Sequence, residues 1–405
     1  MSEWSKVCLG ELIKVKHGFA FPGQFITSEM TDRILVTPGN FCIGGGFKQG
    51  KFKYFSSHDY PAEYQFLGGE LIVTMTDLSK ETDTLGYSAV VPSDGKVYLH
   101  NQRVGLIEPI SDQSCLEFVY WLMRWRDYQV FIVNSASGTS VMHTSPSRIC
   151  EFEFELPPLP EQKAIASVLS SLDDKIDLLH RQNKTLEAMA ETLFRQWFIE
   201  EAKEDWSETK VLDVFSLVGG GTPKTSEADY WDGDIPWLSG GDIANAHQGF
   251  IVRAEKAITE LGLEKSSTKL LPKLASVISA RGTVGKYAML SRPMTFSQSN
   301  YGIIPKGHTH YYFVYLLLAY IVDELSAAAY GSVFDTITTR TFEDVELKLP
   351  PIGMITDFEL EIAPLFENKL NNVEQIQTLE NLRDTLLPKL MSGEVRVQYQ
   401  TEEVA

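Results

Sequence analysis

The chain has 405 residues, 43% of them hydrophobic, and a formal net charge of -18 at pH 7. This length is sufficient for two or three domains that each bury a core, and the acidity excludes a protein that is basic throughout. The N-terminus carries no targeting pattern, and the longest apolar run, residues 311–322, is predicted to be too short to cross a bilayer. Four cysteines without CxxC spacing predict reduced thiols, no metal site and a cytoplasmic location.

The negative charge is unevenly distributed along the chain. Residues 1–156 carry 13 basic and 18 acidic groups, and residues 206–349 carry 13 and 16. The shorter blocks are more acidic, with 6 basic and 10 acidic groups in 157–205 and 4 and 10 in 350–405. Because phosphate binding needs a local basic surface and not a basic total, the two larger blocks remain compatible with nucleic acid.

The first half of the chain predicts a mixed α/β domain. Short β-type runs, separated by glycine and proline, cover 70–75, 87–91 and 96–99. They are followed by an apolar helix over 116–126, a glycine-containing loop and a last strand that ends at Pro157.

The second half repeats this order. Its strands at 275–279, 286–290 and 301–304 precede an apolar helix over 311–325, a glycine loop and a strand that ends at Pro350. The sequence Phe118-Val119-Tyr120 is repeated as Phe313-Val314-Tyr315, 195 positions later. Residues 182–187 are similar in sequence to residues 375–380, at a spacing of 193. A duplication of this length implies two copies of one unit related by pseudo-twofold symmetry.

After each Pro-Pro pair the apolar residues follow an a/d heptad pattern over about forty residues, roughly 60 Å of helix. A helix with one narrow apolar stripe needs a partner, so we predict that the two seams pack on each other; the alternative is that each helix packs on its own globular domain. Pro364 and Pro388 are expected to kink or end the second helix. The predicted seam residues are Ile165, Leu169, Leu172, Ile176, Leu179, Leu186, Leu193, Phe358, Ile362, Leu365, Ile376, Leu379 and Leu386.

The predicted fold is therefore mixed α/β (α+β), with two pseudo-twofold-related globular domains separated by two long helices that form an antiparallel coiled coil. The expected boundaries are 1–156 for the first globular domain, 157–205 for the first helix, 206–349 for the second domain, 350–397 for the second helix and 398–405 for a tail.

Motifs for catalysis are sparse. Residues 281–286 resemble a fragment of a phosphate loop, but the Walker spacing would need glycine at Ala280 and serine or threonine at Tyr287. Asp94-Gly95-Lys96 has the D-x-K form of a nuclease site, yet its surroundings are typical of a hairpin turn. We predict no catalytic residue, metal or cofactor; a metal-dependent nuclease that uses Asp94 and Lys96 is the enzymatic alternative.

A basic and aromatic stretch at 47–55 favours nucleic-acid binding. Lysines that could contact phosphates alternate there with aromatic rings. The structural alternative is an edge strand with a solvated lysine face. The candidates are Lys48, Lys51, Lys53 and Tyr54.

A polar turn occurs in both copies shortly before Gly105 and Gly302. Asparagine, glutamine and arginine have the paired donors and acceptors that match the edges of adenine and guanine. They are also common where strands end, so a structural role stays open. The candidates are Asn101, Gln102, Arg103, Gln298, Ser299 and Asn300.

The glycine loops are rich in hydroxyl groups and contain an arginine, as phosphate oxygens require. The alternative is a turn that leads into the last strand. The candidates are Thr139, Ser140, His143, Thr144, Ser145 and Arg148 in the first copy and Ser332, Thr336, Thr338 and Arg340 in the second. Other polar or basic candidates in the second copy are Thr222, Lys224, Thr225, Ser239, Arg281 and Lys286.

Several strings resemble one family. Gly220-Gly221-Thr222-Pro223, followed by Tyr230-Trp231 and Ile235-Pro236-Trp237, resembles the opening of a target-recognition domain in type I restriction-modification specificity subunits. Leu156-Pro157-Pro158-Leu159-Pro160-Glu161-Gln162 resembles that family's junction with a helical spacer, and 382–394 resembles its C-terminal close. The first copy departs from the pattern, with Gly18-Phe-Ala-Phe-Pro-Gly23 in place of the first string, and Ile352-Gly353-Met354 lacks the Pro-Glu-Gln continuation.

The resemblance implies a non-catalytic, sequence-specific DNA-binding subunit of a type I restriction-modification system. Each domain would read one half of a bipartite, asymmetric site in double-stranded DNA, and the helices would set the spacer length and dock two methyltransferase (modification) subunits. S-adenosylmethionine would be bound by those subunits, and ATP and Mg by a restriction (translocase) subunit where one is present. The alternative is a tandem adaptor that binds protein or glycan ligands, which the near-balanced charge of both domains also allows.

Overall fold

The first half of the chain begins with a series of short strands, after which helices and two further strands alternate. A computed structural model of the chain describes residues 4–77, 79, 83–139, 141–330 and 336–398. The strands are β1 (Ser5–Cys8), β2 (Ile13–His17), β3 (Ile26–Thr27), β4 (Arg33–Val36), β5 (Lys53–Phe55), β6 (Gln65–Phe66), β7 (Leu71–Thr74), β8 (Thr76–Asp77), β9 (Ser88–Val90), β10 (Val97–His100), β11 (Val104–Pro109), β12 (Met142–His143) and β13 (Glu153–Leu156). The helices are α1 (Leu116–Leu122), α2 (Arg126–Ser135), α3 (Pro146–Cys150) and α4 (Leu159–Arg195).

The second half has the same kinds of element. Its strands are β14 (Ser207–Lys210), β15 (Phe215–Gly219), β16 (Trp231–Leu238), β17 (Phe250–Ile251), β18 (Lys256–Ile258), β19 (Ser276–Ser279), β20 (Tyr287–Leu290), β21 (Thr295–Phe296), β22 (Asn300–Pro305) and β23 (Glu346–Leu349). Its helices are α5 (Val211–Val214), α6 (Gly240–Asn245), α7 (Glu260–Glu264), α8 (Tyr311–Tyr330), α9 (Thr339–Glu343) and α10 (Ile352–Met391).

The predicted duplication extends to the strand pairing. β1 pairs antiparallel with β13, and β14 pairs antiparallel with β23, so the first strand of each copy meets the last. The central antiparallel sheet has the order β2-β11-β7-β9 in the first copy and β15-β22-β19-β20 in the second, where β17 extends it. A second sheet differs: it is β3-β5-β4-β10-β6 in the first copy and β18-β16-β21 in the second. The copies therefore share a core and differ in the sheet beside it.

The chain forms two compact units, unit 1 (Met1–Asp174 with Leu379–Ala405) and unit 2 (Lys175–Thr378). In unit 1, Phe118, Trp121 and Leu122 of α1 are fully buried in the main apolar cluster. In unit 2, Phe313, Tyr315 and Leu318 of α8 occupy the main cluster. The apolar helix of each copy is thus its core helix.

Two predictions about these core helices are wrong. The helix predicted over 116–126 ends at Leu122, and a separate helix, α2, begins at Arg126. The apolar run that begins at Tyr311 is, by expectation, too short for a bilayer, but Tyr311–Ala329 has 19 residues and a mean hydropathy of 1.5, enough to span a membrane by length and composition. Its burial in the core of unit 2 accounts for that composition, because a central core helix has apolar residues on most of its surface.

Within each unit, a part of α4 packs antiparallel against a part of α10. In unit 1, Arg383 donates to Asp173 with Nη1 2.7 Å from Oδ1. In unit 2, Asn372 Nδ2 donates to Asn183 Oδ1 at 2.9 Å, and Lys369 forms an ion pair with Glu187. These polar contacts account for the polar middle of the second seam.

The buried face of α4 changes gradually relative to the predicted seam from the start of the helix to its end. Ile165, Leu169, Ile176 and Leu179 are buried, and Leu172 is half-buried. Further on, the buried positions of α4 are Glu187, Ala190 and Phe194, and Phe198 is buried just after the helix ends. Glu187 and Phe194 each lie one residue beyond a predicted position, Leu186 and Leu193, which are half-buried. On α10, Phe358, Ile362 and Ile376 are buried, whereas Leu365, Leu379 and Leu386 are half-buried. An α-helix advances 3.6 residues per turn and therefore departs steadily from a strict 3.5-residue repeat.

Neither proline ends α10, which runs continuously from Ile352 to Met391. We expected Pro364 and Pro388 to kink or end the second helix, and the expectation that they would end it is wrong. Each proline removes one backbone hydrogen bond, but Ile362 and Phe366 on either side of Pro364, and Leu387 and Leu390 on either side of Pro388, are buried in the cores of their units. Packing on both sides of each proline holds the helix together.

Candidate nucleic-acid interface

In unit 1, two of the candidate segments meet at the residue that follows β7. Met75 donates its N–H to the carbonyl oxygen of Arg103 at 3.0 Å, and its own carbonyl accepts the N–H of Thr144 at 3.0 Å. The polar turn 101–103 and the hydroxyl-rich loop are therefore held against the same backbone position. Beside them β8 pairs with β12, and Thr76 Oγ1 lies 3.1 Å from His143 Nδ1.

Unit 2 repeats this arrangement at the residue that follows β19. Ala280 donates its N–H to the carbonyl oxygen of Ser299 at 2.9 Å, and its carbonyl accepts the N–H of Ile337 at 3.1 Å. We call this arrangement the junction: Met75 with the turn 101–103 and Thr144 in unit 1, and Ala280 with the turn 297–300 and Ile337 in unit 2. Sequence reasoning missed Met75 and Ala280, because an apolar residue after a strand carries no chemical signal.

Other candidates of the second copy adjoin its junction. Ser279 Oγ lies 2.9 Å from Thr283 Oγ1, which donates to the carbonyl of Gly240 at 3.3 Å. The loop 281–286, which carries Arg281 and Lys286, is thereby linked to the start of α6. Arg281 is exposed and Lys286 is half-buried.

Glycine is required where each turn is crossed. A Cβ at Gly18 would lie 2.2 Å from the carbonyl oxygen of Asn101, and a Cβ at Gly220 would lie 2.1 Å from that of Ser297. Gly18 is therefore the structural counterpart of Gly220, although the surrounding sequences differ.

Two tryptophans hold the segment after Gly220 in place. Trp237 Nε1 donates to the carbonyl of Gly221 at 2.9 Å, and Trp231 Nε1 donates to that of Lys224 at 3.2 Å. Their rings form an edge-on pair with centroids 5.2 Å apart. Thr222 is half-buried on this segment, and Lys224 and Thr225 are exposed.

Several hydroxyl candidates have local structural contacts. The hydroxyl of Ser145 caps α3 by accepting the N–H of Arg148 at 3.3 Å, and Arg148 forms an exposed ion pair with Glu151 at 3.0 Å. Ser239 Oγ donates to Asp242 at 2.6 Å, and the Thr338 hydroxyl lies 3.2 Å from that of Thr341. Thr139 and Arg340 are exposed, and Thr336 is half-buried. Ser140 and Ser332 lie outside the described residues.

The amides of the two turns fall into two groups. Asn101 is 9% exposed, and its Oδ1 accepts the N–H of Arg103 at 3.0 Å. Asn300 is 1% exposed and donates through Nδ2 to Ser297 Oγ at 2.7 Å. Gln102, Arg103 and Gln298, by contrast, are exposed. The asparagines shape the turns, whereas the other three side chains face solvent.

The lysine stretch belongs to a different sheet. β5 lies between β3 and β4, so the alternative of an edge strand is wrong. Lys48, Lys51 and Lys53 are exposed, and Lys53 Nζ donates to Ser28 Oγ at 2.8 Å. Tyr54 is half-buried and packs, like Phe47, against an apolar cluster of the sheet. This stretch therefore presents lysines to solvent and its rings to the core.

The buried His100, which precedes the polar turn of the first copy, is neutral at pH 7. His100 is 1% exposed, and its Nε2 lies 2.8 Å from the carbonyl oxygen of Val104. Burial lowers the pKa of His100 to about 4. The positive charge at this turn therefore comes from the exposed Arg103.

Asp94 and Lys96 bind each other. Lys96 Nζ lies 2.8 Å from Asp94 Oδ2, which also accepts the hydroxyl of Tyr98 at 3.2 Å. The turn that contains them connects β9 and β10, which belong to different sheets, so the prediction of a hairpin is wrong. The carboxylate and the ammonium group thus have structural partners within the turn.

The model of one protein family, described as the type I restriction modification DNA specificity domain, matches residues 1–188 and 203–381. The chain belongs to this family. The two matches coincide with the two copies, so the family resemblance expected from the sequence is confirmed.

Relatives within the family match this chain over most of its length. The MjaIX specificity subunit of Methanocaldococcus jannaschii is 25% identical over 338 residues, which cover 78% of this chain and 73% of the relative. The HindI specificity subunit of Haemophilus influenzae is 24% identical, with coverage of 78% and 87%. The crystal structure of a type I restriction-modification S subunit from M. genitalium has a TM-score of 0.61 at 17% identity and covers 96% of both chains. That likeness confirms the mixed α/β fold.

As a specificity subunit, the chain contains DNA-recognition domains and is not itself an enzyme. Subunits of this family act on DNA together with methylase and restriction subunits. The nuclease and adaptor alternatives are therefore set aside.

Proposed function

We propose that each copy binds one half of a bipartite, asymmetric duplex DNA site through the face around its junction. The observation that carries this proposal is the recurrence of the junction with the same backbone hydrogen bonds and with exposed side chains that are only partly the same. Gln102, Arg103 and His143 are exposed in unit 1, and Gln298 and Arg281 in unit 2. The same backbone with partly different side chains favours one mode of docking with two base preferences.

The recognition domains of this proposal are 1–156 and 206–349, and the helical segments 157–205 and 350–397 set the spacer length and dock two methyltransferase subunits. Each helical segment carries a charge of -4, from 6 basic and 10 acidic groups in the first and from 4 and 8 in the second. Such acidity favours protein over phosphate as the partner. S-adenosylmethionine then belongs to the methyltransferase subunits, ATP and Mg to any restriction subunit, and the assembly works in the cytoplasm.

Methylation mapping tests the proposal. The chain is co-expressed with its methyltransferase subunit, and methylated adenines are mapped across the host genome. We expect one split motif with unlike halves, and binding of the purified complex to that motif that weakens steeply as salt rises, because phosphate contacts release counterions. The absence of a split motif would exclude the proposal.

Exchange of one recognition domain tests whether each domain reads one half of the motif. Residues 206–349 are replaced by the corresponding domain of a relative, and the motif is mapped again. Only one half of the motif should change. A change in both halves would show that the domains do not read independently.

A further inference from the structure

Gln102 and Gln298 occupy the same place in the two turns. Gln102 directly precedes Arg103, whose carbonyl accepts the N–H of Met75, and Gln298 directly precedes Ser299, whose carbonyl accepts the N–H of Ala280. Spacing to Gly105 and Gly302 alone would place Gln102 opposite Ser299. One residue separates Arg103 from Gly105, but two residues separate Ser299 from Gly302. The backbone hydrogen bonds therefore align Arg103 with Ser299, and Gln102 with Gln298.

Both glutamines are exposed, and neither side-chain amide makes a hydrogen bond to the described part of the chain. The neighbouring asparagines, Asn101 and Asn300, are buried and bonded within their turns. Of the amides in these turns, the glutamines are therefore the ones presented to solvent in both copies.

The backbone that carries each glutamine is held in place. Phe19 donates its N–H to the carbonyl of His100 at 2.8 Å, and Gln102 donates its own N–H to the carbonyl of Phe19 at 2.9 Å. In unit 2, Gly221 donates to the carbonyl of Phe296 at 3.0 Å. A side chain on a fixed turn loses little backbone freedom when it binds, and such sites give the geometric precision that base recognition needs.

The carboxamide of an exposed glutamine is better suited to a base edge than to a phosphate. A carboxamide combines an acceptor with donors, whereas phosphate offers only acceptors, for which the exposed Arg103 and Arg281 are better suited. In the major groove, adenine presents the N7 acceptor beside the N6 donor, which glutamine can engage with two hydrogen bonds. We infer that Gln102 and Gln298 each read one adenine through the major groove, one in each half of the site; this inference rests on the proposed function.

The test compares Gln102→Ala and Gln298→Ala in the complex with the methyltransferase subunit. Each variant should lose its preference for adenine at one position of one half-site and leave the other half unchanged, so each variant is the control for the other. In binding assays with duplexes that carry the motif or a replaced A·T pair, discrimination at that position should fall by about 5- to 150-fold, as expected for a lost pair of hydrogen bonds to a base. Gln298→Glu should shift the preference at its position toward cytosine, whose N4 amino group donates to a carboxylate.

Other outcomes overturn the inference. If both alanine variants keep the wild-type motif and discrimination, the glutamines do not read bases, although the split motif of the wild type still supports the proposed function. Relaxation at a G·C pair, or in both halves at once, contradicts the adenine assignment. If a variant melts like the wild type but binds neither duplex, the glutamine contributes to affinity and not to base preference, and the inference is also overturned. A variant that fails to fold is replaced by Gln102→Met or Gln298→Met, which is judged by the same discrimination assay. A wild-type complex without a split motif would instead refute the proposed function.

Discussion

Lys369 of α10 and Glu187 of α4 form an ion pair with side chains only 6% and 11% exposed. The Glu187 carboxylate also accepts the hydroxyl of Tyr315 at 2.9 Å, and Lys369 Nζ donates to the carbonyl of Gln248 at 2.6 Å. This pair therefore connects both long helices to the core helix α8 and to the recognition domain of unit 2.

Removal of one partner should destabilise unit 2. Lys369→Met leaves Glu187 buried without its cation, and breaking a buried pair in this way costs about 3–5 kcal/mol. Hydrogen exchange at the core helix α8 should accelerate accordingly, as measured by mass spectrometry. The double variant Lys369→Met/Glu187→Gln removes the charge and keeps an acceptor for Tyr315, so it should recover most of the protection. A double variant as labile as the single one would contradict this assignment.

Acid should weaken unit 1 through His100. Because the pKa of His100 is lowered to about 4 by burial, the unfolded chain binds a proton between pH 6.5 and 4 that the folded chain does not. The associated stability is fully present above pH 6.5 and is lost as the pH falls toward 4, up to about 3 kcal/mol.

The variant His100→Gln tests this linkage. Glutamine can donate to the carbonyl of Val104 but does not titrate. Thermal melts at pH 7 and pH 4.5 should show a smaller loss of melting temperature for His100→Gln than for the wild type. Equal losses in the two proteins would show that other groups dominate the acid response.

Much of the fold could be predicted from local signals. The strands β7, β19 and β20 and the start of α8 follow from apolar runs and turn residues, and the heptad pattern predicts α4. The break after Leu122 could not be predicted, because α1 and α2 pack on the same cluster and their residues are apolar on both sides of it. The continuity of α10 through Pro364 depends on tertiary packing, which overrides the local preference of proline.

The candidate site was predictable only in part. Polar residues mark the turns, but the sequence does not distinguish the buried Asn300 from the exposed Gln298. That distinction depends on how the turn folds: Asn300 bonds to Ser297 and pairs with Ser279 of β19, whereas Gln298 lies outside these contacts. The sequence already places Gly18 where the string of Gly220 begins, but the reason that both are glycine, the close approach to a carbonyl oxygen, is seen only in the structure.

Gly220→Ala should destabilise unit 2 and displace the turn that carries Gln298. The new Cβ would lie 2.1 Å from the carbonyl oxygen of Ser297, which backbone hydrogen bonds hold in place. We expect a loss of about 1–3 kcal/mol in unfolding free energy and weaker binding to the second half-site. Gly219→Ala is the control, because a methyl group at that position would meet nothing within 4 Å among the described residues. Equal effects at the two neighbouring glycines would show that chain flexibility, and not the close contact, is responsible.

Arg396→Ala should loosen the attachment of the residues that follow α10, here called the C-terminal segment, to the rest of unit 1. Glu161 is fully buried; Arg396 donates to its two oxygens at 2.5 and 2.6 Å, and Trp4 Nε1 donates at 3.1 Å. Since the Arg396 side chain is 32% exposed, the loss should be below that of a fully buried pair, about 2 kcal/mol. Limited proteolysis should then cleave the C-terminal segment sooner than in the wild type. Glu394→Ala is the control, because its 3.5 Å ion pair with Lys389 is exposed and contributes little. If Arg396→Ala resists the protease as well as Glu394→Ala does, the bond to Glu161 does not hold this segment.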